Sequence, residues 1–176
     1  MRELTPSEKG AVAEAAITAH AVRLGIFVLR PLVEGRRYDL MFDAGHHLLR
    51  VQCKWGQVKG DVISAHIGTC RLTPTRGYLR TTYTAAEVDL FAIYAAEIDQ
   101  VFAVPIEDVE GQTYVHLRLK PARNNQRTAV RFAAEYPLGA VAQLGERRHG
   151  MAEVRGSIPL SSTHEEAAQQ RGLFVV

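Results

Sequence analysis

Asp39, Gln52 and Lys54 are the residues of this chain whose types and spacing most readily do chemistry. A carboxylate beside an amide oxygen can hold a hard divalent cation such as Mg²⁺, which prefers oxygen ligands and keeps several waters. A lysine next to that cation can orient or deprotonate a bound water and stabilise charge on an attacked phosphate. Glu14, on an earlier segment, offers a second carboxylate. Whether these side chains meet depends on register. Residues 38–43 and 48–55 alternate apolar and polar positions and are joined through Ala44-Gly45-His46-His47, the pattern of a hairpin. Pairing Asp43 with Leu48 sets Leu40 across from Val51, Phe42 across from Leu49 and Asp39 across from Gln52. Tyr38, Leu40, Phe42, Leu49, Val51 and Cys53 then share an apolar face, with Asp39, Met41, Arg50, Gln52 and Lys54 on the other. A one-residue slip would mix the two sets, so the pattern favours this register. Polar residues at alternate positions are equally the mark of a solvent-facing strand, and spacing alone does not choose.

The elements that must hold these residues can be read around them. Thr5-Pro6-Ser7-Glu8 opens a helix with a capping box. Val12, Ala16, Ala19 and Leu24 give it an apolar face, Glu14 lies on it, and it ends before Gly25. Residues 26–29 read as a short buried strand stopped by Arg30-Pro31. Residues 61–72 fit a helix or a strand, and Arg76-Gly77 marks a turn. Further strands are expected at 88–94, 101–105 and 113–119, and a helix at 126–136 stopped by Pro137-Leu138-Gly139. The order predicts an α/β or α+β domain with a mixed sheet.

Composition bounds the function. The chain has 176 residues, 47% hydrophobic and 23% charged, enough for one real core without staples. No apolar run approaches the ~20 residues of a membrane span. The first ten residues lack a secretory signal's apolar stretch, which points to the cytoplasm. Two cysteines make no disulfide framework and no zinc cluster. Net charge is only +2, but residues 81–110 carry seven acids and no Lys or Arg, between two segments of net positive charge. A one-sided basic surface is therefore possible, with the acidic band facing away from DNA. His46 and His47 read as exposed turn residues, Cys53 as packing and Trp55 as a core or rim aromatic.

Glu14, then Tyr38-Asp39-Leu40, then Val51-Gln52-Cys53-Lys54-Trp55 resembles the PD-(D/E)-x-K nuclease superfamily. There a helical Glu, an Asp and an acid-x-Lys pair on a hairpin build the metal site. Gln52 replaces the acid of the last pair, which is similar to one branch, the bacterial group I intron homing endonucleases. The likeness continues through Arg76, Tyr83, Asp89-Leu90-Phe91-Ala92-Ile93-Tyr94 and Val101-Phe102-Ala103-Val104-Pro105, and spans about residues 5–137. It implies a restriction-endonuclease-like mixed β-sheet flanked by helices, with an αβββαβ-type core. It implies Mg²⁺ as cofactor, with Mn²⁺ able to substitute, and double-stranded DNA as partner. Asp39 becomes the principal metal ligand, Gln52 a neutral ligand and the Cys53 carbonyl a third oxygen. Glu14 supports the metal or its water, and Lys54 positions the nucleophilic water. Arg36, Arg37, Lys59, Arg76, Arg80 and Tyr83 become candidate DNA contacts, the cations neutralising phosphates. A homo-oligomer is expected, since one such domain covers little DNA and cuts one strand. A Holliday-junction resolvase, which shares the core, is the nearest alternative, and a catalytically inactive nucleic-acid-binding module or an unrelated mixed-sheet domain are the others.

Residues 138–176 form a separate C-terminal segment. Within 140–163, Val-Ala-Gln and Gly-Ser-Ile-Pro are similar to the translated D and T arms of a tRNA gene, in that order. The expectation is a poorly ordered tail following a domain at 1–137. The DNA of the gene tests it: absence of cloverleaf pairing removes the idea.

Overall fold

The computed structural model describes residues 2–33, 35–45, 47–73, 77–120 and 130–141. Helix α1 (Pro6–Arg23) begins with the expected capping box: the Glu8 N–H donates to the Thr5 hydroxyl, and the Thr5 N–H donates to the Glu8 carboxylate. Its buried stripe is Ala13, Ile17 and Ala21, spaced by four and so on one side of the helix. This differs from the predicted face, on which Val12 and Leu24 are in fact exposed. Alanines on either side of Ile17 let α1 lie close to the sheet, which larger side chains at those positions would prevent.

Among the described residues ten strands follow: β1 (Phe27–Leu29), β2 (Leu40–Asp43), β3 (Leu48–Lys59), β4 (Val62–His66), β5 (Thr69–Thr73), β6 (Gly77–Thr81), β7 (Leu90–Ala95), β8 (Gln100–Pro105), β9 (Tyr114–Arg118) and β10 (Arg131–Phe132). β2 and β3 pair in the predicted register, Leu40 with Val51 and Phe42 with Leu49. Leu40, Phe42, Leu49, Val51 and Cys53 are buried with Ile17 of α1 and Leu90 and Ala92 of β7. Tyr38 does not join them. The chain bends just before β2, and Tyr38 packs against the cluster on the opposite face, with Phe91, Ile93 and Ile63. β1 is an exposed edge rather than a buried strand: it pairs with β2, and Phe27 is 75% exposed while Val28 turns inward. Residues 61–72 resolve into β4 and most of β5.

The helix expected at 126–136 is not formed over its described part. Arg131–Phe132 pairs in parallel with β9, and Ala133–Glu135 makes one 3-10 turn. The edge of β9 offers backbone donors and acceptors that a strand satisfies and a helix would leave unpaired. Leu138 and Val141 are buried in the α1-side cluster, so the packed part reaches Val141. Most of the predicted tail, 142–176, lies outside the described residues. No helix among the described residues is long and apolar enough to cross a membrane.

β3 organises the sheet. β7 runs parallel to it over Val51 to Gly56, and β8 adds beyond β7. β2 pairs with Leu48 to Val51, and β4 with Gly56 to Lys59. Because β7 occupies one edge of β3 at both Val51 and Gly56, β2 and β4 must share the other. Between them the sheet forks. The fork spans about 16 Å, the five residue steps from Val51 to Gly56 at roughly 3.3 Å each. One arm is β2–β1 and the other β4–β9–β10. The crossover from β3 to its parallel neighbour β7 passes through β4 and the β5–β6 hairpin, where the αβββαβ pattern has a helix.

Gly56 stands where the second arm joins. A Cβ there would lie 2.8 Å from Cγ2 of both Ile63 and Ile93. Gly56→Ala is therefore expected to cost about 1–3 kcal/mol through overpacking. Thermal unfolding reads this at roughly 2–4 °C per kcal/mol, and an unchanged Tm would contradict the packing.

Candidate active site

Asp39 sits at the fork, its N–H donating at 2.9 Å to the Val51 carbonyl that Leu40 also faces, a bulge at the end of the β2–β3 ladder. Its Oδ2 accepts the backbone N–H of Cys53 at 2.8 Å and Nε2 of Gln52 at 2.5 Å. A strand residue points its N–H and C=O to the same edge, so the Cys53 carbonyl also faces the fork. Gln52 is buried. Lys54 lies two residues on, on the same face of β3, with Nζ 5.5 Å from the centre of the Tyr83 ring. The Cys53 side chain turns the other way, into the core under α1. Burial pushes its thiol up, as for a cysteine packed in a core.

Glu14 reaches the same place from α1. It accepts a 2.8 Å bond from Arg30 Nη2, and both line a cleft of about 400 Å³ with Arg36, Tyr38 and Asp39. Burial pushes the Asp39 carboxyl up, against the Cys53 N–H, the Lys54 charge and the Gln52 amide. Glu14 is pushed up by burial and by Asp39, with Arg30 opposing. Burial pushes Lys54 down, with Asp39 opposing. Two carboxylates thus crowd one cleft, and Arg30 balances part of their charge.

The donors suit some metals and not others. Among the described residues no group of three or more His, Cys, Asp or Glu is placed to hold an ion. One carboxylate, one amide oxygen and one backbone carbonyl match a hard cation that keeps most of its waters. Gln52 now turns its N–H toward Asp39, and a half-turn of the amide would present the oxygen instead.

The candidate DNA contacts separate. Arg36 is exposed and lines the cleft, and Lys59 is exposed at the end of β3. Arg37 is spent on the protein: it donates to Glu87, to the Thr82 carbonyl and to Thr69, and lies 4.1 Å over the Tyr83 ring. Tyr83 is buried edge-on to Phe91, which makes it a wall for Lys54 rather than a surface contact. Arg76 and the Arg80 side chain lie outside what is described, as does His46. Trp55 is half-buried at the rim, edge-on to Tyr94.

Three residues at or around the site were not found from sequence. Asp89 and Glu87, assigned there to an acidic band facing away from DNA, are ion-pair partners of Arg50 and Arg37. In the sequence Arg30 marks only the end of a strand. The one available signal was Arg50 on the polar face of β3: a cation beside a buried site needs a counter-charge, but sequence does not say which acid supplies it.

A mixed sheet with α1 packed on one face is the layout of the restriction-endonuclease-like fold. The chain belongs to the PD-(D/E)XK endonuclease family, whose profile matches residues 4–138. Among solved structures it is similar to the bacterial homing endonuclease I-Ssp6803I, with a TM-score of 0.66 and 23% identity, covering 85% of this chain and all of that one. No curated protein matches it.

Proposed function

We propose that this endonuclease hydrolyses phosphodiester bonds of double-stranded DNA with Mg²⁺, in the manner of a homing endonuclease. The observation that carries the reading is the meeting of Asp39, Gln52 and the Cys53 backbone at the fork, with the Lys54 charge felt by Asp39 and with Glu14 in the cleft beside it. Asp39, the Gln52 amide oxygen and the Cys53 carbonyl would hold the cation. A bound cation supplies charge to a phosphate oxygen and acidifies water. Lys54, held against Tyr83, orients the attacking water and offers a positive charge to the phosphate. Glu14, with Arg30 as its partner, accepts hydrogen bonds from water on the far wall. Gln52 in place of an acid removes one negative charge, so metal affinity should be lower than with a carboxylate there.

The homing subtype is supported by the likeness to a bacterial homing endonuclease and by the Gln-x-Lys pair. The active form is proposed to hold two or more copies. Phe27, Leu29 and Leu48 on the β1–β2–β3 arm and Leu32 and Val33 beside it are exposed, more apolar surface than an isolated arm needs. Light scattering on the purified protein tests this, and a monomer at micromolar concentration would remove it.

The substrate test uses a plasmid carrying the DNA that flanks the gene, with any intervening element removed, beside a four-way junction. Cutting of the plasmid in Mg²⁺ or Mn²⁺, abolished by EDTA, is expected. Preference for the junction would make the protein a resolvase. Tight, salt-sensitive binding without cutting would make it an inactive binding module.

A further inference from the structure

The second arm of the fork carries a surface that the catalytic residues do not use. Ile63 and Ala65 of β4 and Val115 and Leu117 of β9 face the core. The alternate residues, Ser64, His66, Tyr114, His116 and Arg118, face the other way, on the side where α1 lies. α1 packs against β1, β3, β7 and β8, and the outward rings of β4 and β9 are exposed, Tyr114 by 51%. His66 and Tyr114 meet edge to face at 4.9 Å, and Tyr114 and His116 lie parallel at 6.2 Å. No carboxylate stands among these residues, and the nearby Asp61 is taken up by Lys120 at 3.1 Å. Lys59, exposed, closes the row on β3.

We infer that this ring-and-cation face is a docking surface for the duplex DNA arm on one side of the cut. The inference rests on the nuclease reading above. The occupant follows from charge complementarity. Arg118 and Lys59 suit phosphates, and tyrosine and histidine side chains donate to phosphate oxygens without reading sequence. Position agrees. One step beyond the last β3–β4 pair, Gly56 with Ala65, stand Trp55 and His66, so the row runs outward from the fork. Glu14 lies on the same side of the sheet, across the fork. Gln52 and Lys54 point to the opposite face, so a duplex with its scissile phosphate at Asp39 would sit on the fork edge between the two faces and continue over this arm on the Glu14 side.

The test measures binding of full-length protein to a fluorescein-labelled 40-base-pair duplex of the gene-flanking DNA, in Ca²⁺, at several salt concentrations. The variants are Lys59→Ala and the double change Tyr114→Ala/His116→Ala. Each is expected to weaken binding about fivefold to tenfold with Tm unchanged, and the double change to leave cleavage at saturating DNA in Mg²⁺ unchanged. Lys59→Ala should also reduce the salt slope by about one phosphate's worth. Footprints should shorten on one side of the cut only. Binding within twofold of wild type for both variants overturns the proposal while leaving the nuclease intact. Tighter binding to a single strand would assign the row to unstacked bases and overturn the duplex assignment. Wild-type protein that neither binds nor cuts this duplex overturns both readings.

Discussion

Asp39→Asn should reduce DNA cleavage by about 10³-fold or more while leaving the protein at least as stable as wild type in metal-free buffer. The first half follows from role. Asp39 is the one charged group among the three proposed ligands, since the Gln52 amide and the Cys53 carbonyl are neutral. Its loss removes the attraction that would hold a divalent cation, and with it the charge offered to the phosphate. The second half follows from burial. The ionised Asp39 carboxyl is disfavoured in the fold because burial pushes it up more than its hydrogen bonds hold it down. Asparagine keeps an oxygen for the Cys53 N–H and removes the buried charge. Activity and stability should thus move in opposite directions, as at a site kept for function rather than for folding. Cleavage assays beside thermal unfolding read both. A large fall in Tm would mean that Asp39 is a structural anchor instead.

Asp89→Ala should be the most damaging single change to stability in this region. Asp89 has 7% of its side chain exposed and accepts three bonds from Arg50: the backbone N–H at 2.6 Å, Nε at 3.0 Å and Nη2 at 2.9 Å. Arg50 also donates to the carbonyls of Ala85 and Ala86. Removing the carboxylate leaves a partly buried guanidinium without its counter-charge, which costs about 3–5 kcal/mol. At this size that is a Tm loss on the order of 10 °C. The segment so anchored carries Tyr83 and Glu87, so the wall behind Lys54 should loosen too, and cleavage should fall below the variant's Tm. A Tm within about 2 °C of wild type would show that the pair is dispensable.

The hairpin register was legible because the two apolar sets interdigitate and only one alignment keeps them on one face. That alignment alone put Asp39 beside Gln52. The fork was not legible. It depends on β2 and β4 sharing one edge of β3, and that follows only once β7 is seen to occupy the other. The α1 face was misread because alanine carries little hydrophobic signal, so the stripe of Ala13, Ile17 and Ala21 was less visible than valine and leucine elsewhere on the helix. Asp89 was misread for a different reason. A charge is taken as solvated until a partner is known, and Arg50 is thirty-nine residues away. Local pattern thus located the candidate ligands, while the residues that hold Lys54 and β3 in place came from long-range pairing.

The measurement closest to the central claim is nicking of supercoiled plasmid by full-length protein in Mg²⁺, wild type beside Lys54→Ala, with DNA binding measured on the same preparations in EDTA. Wild type is expected to nick and Lys54→Ala to bind equally but cut about 10²- to 10⁴-fold more slowly, the usual range for a positioned proton-handling group. Equal cutting by the two proteins would place the chemistry away from the fork and contradict the account.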